Sequence, residues 1–115
     1  MKRGEVYDAS LGFTEGSEQR GTRPVVIISR DAINEASPVV VIVPFTRYRG
    51  QSIYPSQAFL RAPEAGLERD SVATAEQVRA IDKGWLGRLR GALSPESVQE
   101  LDQALLIALD LPGQT

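Results

Sequence analysis

This 115-residue chain carries eleven arginines, two lysines and fifteen carboxylates, and it has neither histidine nor cysteine. That inventory excludes thiolate and imidazole metal centres, histidine general bases, and the triads in which serine or threonine leans on histidine. Carboxylates, hydroxyls, guanidinium groups and backbone remain. Such a set suits a reaction whose substrate brings its own nucleophile, and RNA cleavage through the 2′-hydroxyl is one. The protein then has to hold the phosphate, take one proton, give another, and stabilise the added negative charge. A preorganised arginine fits the last task, since one such donor contributes ~3–4 kcal/mol of transition-state stabilisation. Two residues stand where that chemistry needs them: Arg23, just before Pro24 at the mouth of one buried run, and Thr46, at the end of another. If the two runs are neighbouring strands, guanidinium and hydroxyl converge. An arginine capping a carboxylate and an ordinary strand-end threonine are the plain alternatives.

The elements that would position them follow from hydrophobic patterning. Residues 24–29 (PVVIIS) and 39–46 (VVVIVPFT) are unbroken, largely β-branched runs, as expected of strands buried on both faces. Proline is tolerated where it falls, at the start of the first run and near the end of the second. Residues 4–9 alternate as a first strand, and shorter strands are predicted at 57–61, 71–75 and 77–81. Residues 11–22 form a loop long enough to be functional, in which Gly16 and Gly21 let the backbone bend toward a ligand. Residues 31–38 read as a polar connection, 46–56 as a second loop, and 86–90 as a short helical turn. From Ser94 onward the chain reads as a helix, with Ser94 as N-cap, Pro95 at the first helical position and Glu96 complementing the dipole. Val98, Leu101, Ala104, Leu105, Ala108 and Leu109 share one face, and Ile107 lies opposite, as helix-end irregularity or as a contact to a second subunit. The expectation is one domain over residues 1–115, mostly β with a C-terminal helix, arranged as a small, strongly curved sheet or barrel.

The net charge of −2 argues against a nucleic-acid partner, but its distribution does not. From Ser94 onward the chain carries four carboxylates and no cation, so residues 1–93 carry +2. Arginine dominates that excess, and its planar fork matches phosphate or carboxylate. The N-terminus has no apolar signal core and no apolar run is long enough to span a membrane, so a soluble cytoplasmic protein is expected.

Several stretches together closely resemble the MazF/PemK family of toxin endoribonucleases: RGEVY at 3–7, GSEQRGTRPVVIIS at 16–29, VPFT at 43–46 and ERDSVATAEQVRAID at 68–82. The resemblance implies an SH3-like β-barrel, a homodimer, and metal-independent cleavage of single-stranded RNA at short motifs to leave a 2′,3′-cyclic phosphate and a 5′-hydroxyl. It implies no cofactor. It also implies a cognate antitoxin whose extended C-terminal segment blocks the RNA site. Carried over by motif, Arg23 is the catalytic arginine, Thr46 supports it, and Glu18 takes the place of a carboxylate proposed as proton acceptor in some relatives. Ser17, Gln19, Glu76 and Gln77 match positions that contact bases or the phosphate region. One departure concerns the general acid: some relatives carry an arginine two positions before the carboxylate matching Glu76, and here that residue is Thr74. The acid therefore has no assignment, and Glu18 and Glu76 compete as the base.

Around this set stand Arg20 in the first loop and Arg47 and Arg49 in the second, as phosphate contacts or as solvated charge, with Tyr48 and Tyr54 as stacking platforms for bases. Trp85 reads as packing, and Glu64, Glu68 and Asp70 lack the spacing of a specific metal site. Two other functions fit a barrel of this class: a gyrase-directed toxin without ribonuclease activity, and a peptide-binding module whose arginines receive carboxylates. The gyrase-directed toxin would not need Arg23, Thr46 and the GSEQRGTRP loop together, and of these readings only the ribonuclease makes new RNA ends.

Overall fold

The computed structural model describes residues 1–11 and 21–113. Seven strands, β1 (Glu5–Ser10), β2 (Thr22–Ile27), β3 (Val39–Arg47), β4 (Gln57–Leu60), β5 (Ser71–Thr74), β6 (Arg79–Asp82) and β7 (Leu86–Ala92), are joined by α1 (Asp31–Ala36) and followed by α2 (Pro95–Ala108). The sheet runs in the order β4-β5-β3-β2-β1-β7, with β6 also paired to β3. All pairings are antiparallel. β3 is the spine: β2 lies along one edge, and β6 and β5 share the other, beside its first and second halves respectively.

The apolar runs in β2 and β3 are unbroken because both faces are covered. Val26, Val43 and Phe45 point into a core shared with Leu60, Leu101 and Leu105, whereas Val25, Ile27, Val40 and Ile42 enter a second core with Ala9 and Ile81. α2 closes the first core with Leu101, Ala104 and Leu105, and each buried leucine contributes ~1.5–3 kcal/mol. Its start is as expected: the Ser94 hydroxyl accepts from the Ser97 N–H at 3.2 Å and Pro95 opens the first turn.

The hydrogen-bonded sheet does not close, yet its two ends meet. The 3-10 turn Glu64–Gly66, between β4 and β5, packs against β7 at the other end of the order. Glycine makes that approach possible. A Cβ on Gly66 would collide with the Arg90 carbonyl, and one on Gly91 would stand 2.8 Å from the Ala65 carbonyl carbon. Gly66 also has φ +73°, which side-chain-bearing residues rarely adopt.

Three local expectations need correction. Residues 31–36 are helical, not a polar connection: Asn34 is buried, its amide donates to the Ser29 carbonyl at 2.8 Å, and the Ser29 hydroxyl bonds the Asn34 amide oxygen. Residues 86–90 form part of a strand, because the free edge of β1 needs a partner and irregularities in the β1–β7 register accommodate the sequence LGRLRGA. The strand expected at 77–81 begins at Arg79, after a 3-10 turn over Ala75–Gln77.

Candidate active site

Antiparallel registers decide which side chains meet. Val25 pairs with Pro44 across β2 and β3, so continuing by two residues sets Arg23 opposite Thr46. On its other side Arg23 pairs with Ala9 of β1, and Thr46 pairs with Val72 of β5. Each residue is thus held by a ladder on one side, Arg23 by β1 and Thr46 by β5, just past the last β2–β3 pair and at the end of the sheet where the first long loop begins. Leu11 and Gly21, which flank residues 12–20, are joined by a backbone hydrogen bond of 3.2 Å, and Gly21 has φ +79°.

At this end lies an open cleft of about 310 Å³. Thr22, Arg23 and Pro24 form one side, Phe45, Thr46 and Arg47 the base, and Leu67, Glu68, Arg69 and Ser71 the facing wall. Arg23 is half-buried with its Nε enclosed, whereas Arg47 is exposed. The cleft thus gathers three guanidinium groups, two threonine hydroxyls, one serine and one carboxylate at a rigid sheet end. Such a surface can clamp a phosphate from more than one side.

Arg23, Thr46 and Arg47 come together as expected. Glu76, Gln77 and Tyr54 do not line this cleft. Glu76 is exposed just beyond β5, where its carboxylate accepts from Gln57 Nε2 at 2.8 Å and from the Ser56 hydroxyl at 3.3 Å. Gln57 Oε1 in turn accepts from the Tyr54 N–H at 3.1 Å, and the Tyr54 ring is 61% exposed and open to stacking. These residues form a second polar cluster beside the loop after β3. Arg49 is exposed in that loop, its backbone N–H bonded to Gln51 Oε1 at 2.5 Å. Ser17, Glu18, Gln19 and Arg20 lie outside the described residues.

The Tyr48 residue is half-buried, and its ring packs edge-to-face with Phe59 with centroids 5.0 Å apart. Trp85 is less buried than a packing residue would be: it is 41% exposed, with the Arg79 guanidinium 5.8 Å from its ring centroid. Thr74 is buried and donates its hydroxyl to the Pro44 carbonyl at 3.0 Å, which takes it away from any acid role. Glu64, Glu68 and Asp70 each serve a different partner. Glu64 accepts from the Ser94 N–H, Asp70 accepts from the Ala62 N–H, and Glu68 faces Arg90.

Sequence reasoning missed the facing wall. Arg69 and Ser71 fall in the stretch 68–82 that carries the family resemblance but receive no site role from it, and Glu68 is weighed only as a metal ligand. Nothing local marks them, because they enter the cleft only through the β3–β5 pairing and the packing of Glu64–Gly66 on β7.

Comparison with known proteins places this geometry in context. A family model described as PemK-like, MazF-like toxin of type II toxin–antitoxin system matches residues 2–109. The chain is 40% identical over 111 residues to the endoribonuclease EndoA of Bacillus subtilis (strain 168), covering 96% of each chain. Among solved structures it resembles a mycobacterial endoribonuclease in complex with its cognate antitoxin, with TM-score 0.81, 27% identity and 97% of each chain covered. The Mycobacterium tuberculosis toxin MazF-mt6 superposes with TM-score 0.76 at 26% identity, over 93% of this chain and 97% of that one.

Proposed function

Since the chain belongs to the PemK-like, MazF-like toxins of type II toxin–antitoxin systems, it is an endoribonuclease toxin, and we propose that it cuts single-stranded RNA without a metal ion, through the substrate's own 2′-hydroxyl. The observation that carries this reading is the placement of Arg23 and Thr46 on adjacent strands, both lining one cationic cleft.

In the proposed reaction the scissile phosphate sits between Arg23 and Thr46. A base removes the 2′-hydroxyl proton, the 2′-oxygen attacks phosphorus, and the 5′-oxygen leaves, giving a 2′,3′-cyclic phosphate and a 5′-hydroxyl. Arg23 stays charged and stabilises the crowded, more negative phosphate, because arginine does not deprotonate in proteins. Thr46 orients the phosphate beside it. Glu76 is held by Gln57 and Ser56 away from the cleft, which favours Glu18 as the base. The leaving oxygen takes its proton from solvent at the open mouth of the cleft. Ser17, Gln19, Arg20, Arg47 and Arg49 bind the backbone, while Tyr54, Glu76 and Gln77 form a separate base-contacting surface.

The partners proposed are single-stranded mRNA, a second copy of this chain, and an antitoxin whose extended, acidic C-terminal segment covers the arginine-lined cleft. Among the described residues no helix is long and apolar enough to cross a membrane, and the cytoplasm, where mRNA is found, is the proposed compartment.

The test is incubation of the purified protein with a mixed-sequence single-stranded RNA in excess EDTA, beside Arg23→Ala. Sequence-selective cuts ending in cyclic phosphates are expected, and the mutant should be about 10²–10³-fold slower by comparison with loss of an oxyanion donor. A mutant of near-normal rate removes Arg23 from the reaction, and cutting only with added magnesium refutes the mechanism.

A further inference from the structure

The wall facing Arg23 is built too firmly for an incidental surface loop. Leu67 anchors it in the core at 2% exposure. Gly66 packs on β7 so closely that no side chain fits there. Arg90 ties the same segment down from β7. Its Nη1 donates to the Gly66 carbonyl at 3.1 Å and faces Glu68 Oε1 at 3.6 Å, while its Nε donates to Asp8 of β1 at 2.5 Å. At the other end the Asp70 carbonyl accepts from the Tyr48 N–H at 2.9 Å, the Asp70 carboxylate accepts from the Ala62 N–H at 2.9 Å, and the Ser71 hydroxyl donates to the Arg69 carbonyl at 2.8 Å. The backbone of Arg69 is thereby fixed on both sides while its side chain is exposed and lines the cleft. Glu68, the neighbouring carboxylate, is turned toward Arg90, and among the described residues Arg69 makes no ion pair.

We propose that Arg69 is a substrate-binding residue, which receives an RNA backbone phosphate next to the scissile one from the wall opposite Arg23, and that Arg90 is the positioning residue that holds this wall in place. The proposal rests on the reading of the cleft as an RNA site. A guanidinium on each side of an open cleft fixes the course of the strand across it, since two successive phosphates must meet two separate forks. Glu68 contributes by occupying Arg90, so that the wall offers its one outward cation to the RNA.

The experiment separates binding from cleavage. A 2′-O-methylated single-stranded RNA that cannot be cut is titrated with the protein at several salt concentrations. Arg69→Gln, Arg69→Lys, Arg90→Gln and Arg30→Gln are compared with the unsubstituted chain, Arg30 being an exposed arginine at the start of α1, outside the cleft. Arg69→Gln is expected to raise Kd about tenfold, as for loss of one charge-assisted contact. It should also reduce the salt slope by ~0.7, the increment for one phosphate contact on a single strand. Arg69→Lys should recover most of the affinity and the full slope, while Arg30→Gln should change neither. Arg90→Gln should weaken binding while lowering the slope by less than one contact. Equal effects of Arg69→Gln and Arg30→Gln, or no effect of Arg69→Gln, overturn the proposal even if the unsubstituted protein cuts RNA normally. A protein that neither binds the methylated RNA nor cuts an unmodified one overturns both this proposal and the function on which it rests.

Discussion

Arg23 is useful because its backbone cannot move. Its backbone is paired with Ala9 of β1 and its side chain is half-buried with the Nε enclosed, so under the proposed mechanism the charge is preorganised before substrate arrives. Thr46 has the same kind of support from Val72. Thr46→Val keeps the shape and removes the hydroxyl. It should lower the cleavage rate by about tenfold or more, the effect of losing one hydrogen bond of ~1 kcal/mol or slightly above to the phosphate, while thermal stability changes little because Thr46 is only half-buried. An unchanged rate would remove Thr46 from the site. For the two carboxylates, Glu18→Gln is expected to slow the chemical step about 10²-fold or more, as for loss of a general base. Glu76→Gln should instead disturb substrate selection, because its carboxylate organises Gln57 and Ser56 outside the cleft. Single-turnover rates on a saturating oligonucleotide distinguish the two, and a larger rate loss in Glu76→Gln would reverse the assignment.

At the scale of elements, the join between the two ends of the sheet sets the shape of the cleft. Gly66→Ala adds one methyl group where backbone already stands and at a left-handed φ, and it should cost about 1–3 kcal/mol as an overpacked site. Urea unfolding of that variant with an unchanged midpoint would mean that the turn is not packed on β7 as described. The same turn reports on pH through Glu64, which caps the segment leading into α2. Burial pushes its carboxyl up, but hydrogen bonds from the Ser97 side chain and the Ser94 backbone and side chain outweigh burial and leave it below its ordinary 4.5. The stabilisation is therefore complete above pH 4.5 and is lost as pH falls through the lower folded value. Glu64→Gln is expected to flatten the acid limb of stability below that pH. Identical acid limbs for the two proteins would show that these hydrogen bonds do not distinguish the charged form.

For the whole molecule, the separation of charge matters more than its sum. The four carboxylates after Ser94 account for more than the whole net charge of −2, and the remainder of the chain is positive. Arg23, Arg47 and Arg69 occupy one cleft at the end of the sheet, so a polyanion is drawn to that end although the protein as a whole is acidic. With three phosphate contacts the RNA affinity should fall with a log–log salt slope of about −2, or about 15-fold between 50 and 200 mM salt. A slope near zero would mean that the arginines do not contact phosphate. An acidic antitoxin segment competing for the same cleft should show comparable salt sensitivity.

Composition and pattern alone determined a good deal here. The absence of histidine and cysteine excluded imidazole and thiolate chemistry, and the two apolar runs required strands buried on both faces. The caps at Ser94 and Pro95 started the helix where α2 begins, because these signals act within a few residues of chain. Arg23 and Thr46 were legible as a pair because both stand at strand ends. What tertiary structure alone decided depends on segments distant in sequence. Residues 86–90 became a strand because β1 offered an edge, and Asn34 drew residues 31–36 into a helix by bonding Ser29. Glu68 and Arg69 joined Arg23 across about 45 residues of chain because Gly66 and Gly91 let two backbones approach, which pairing and packing set and local propensity cannot.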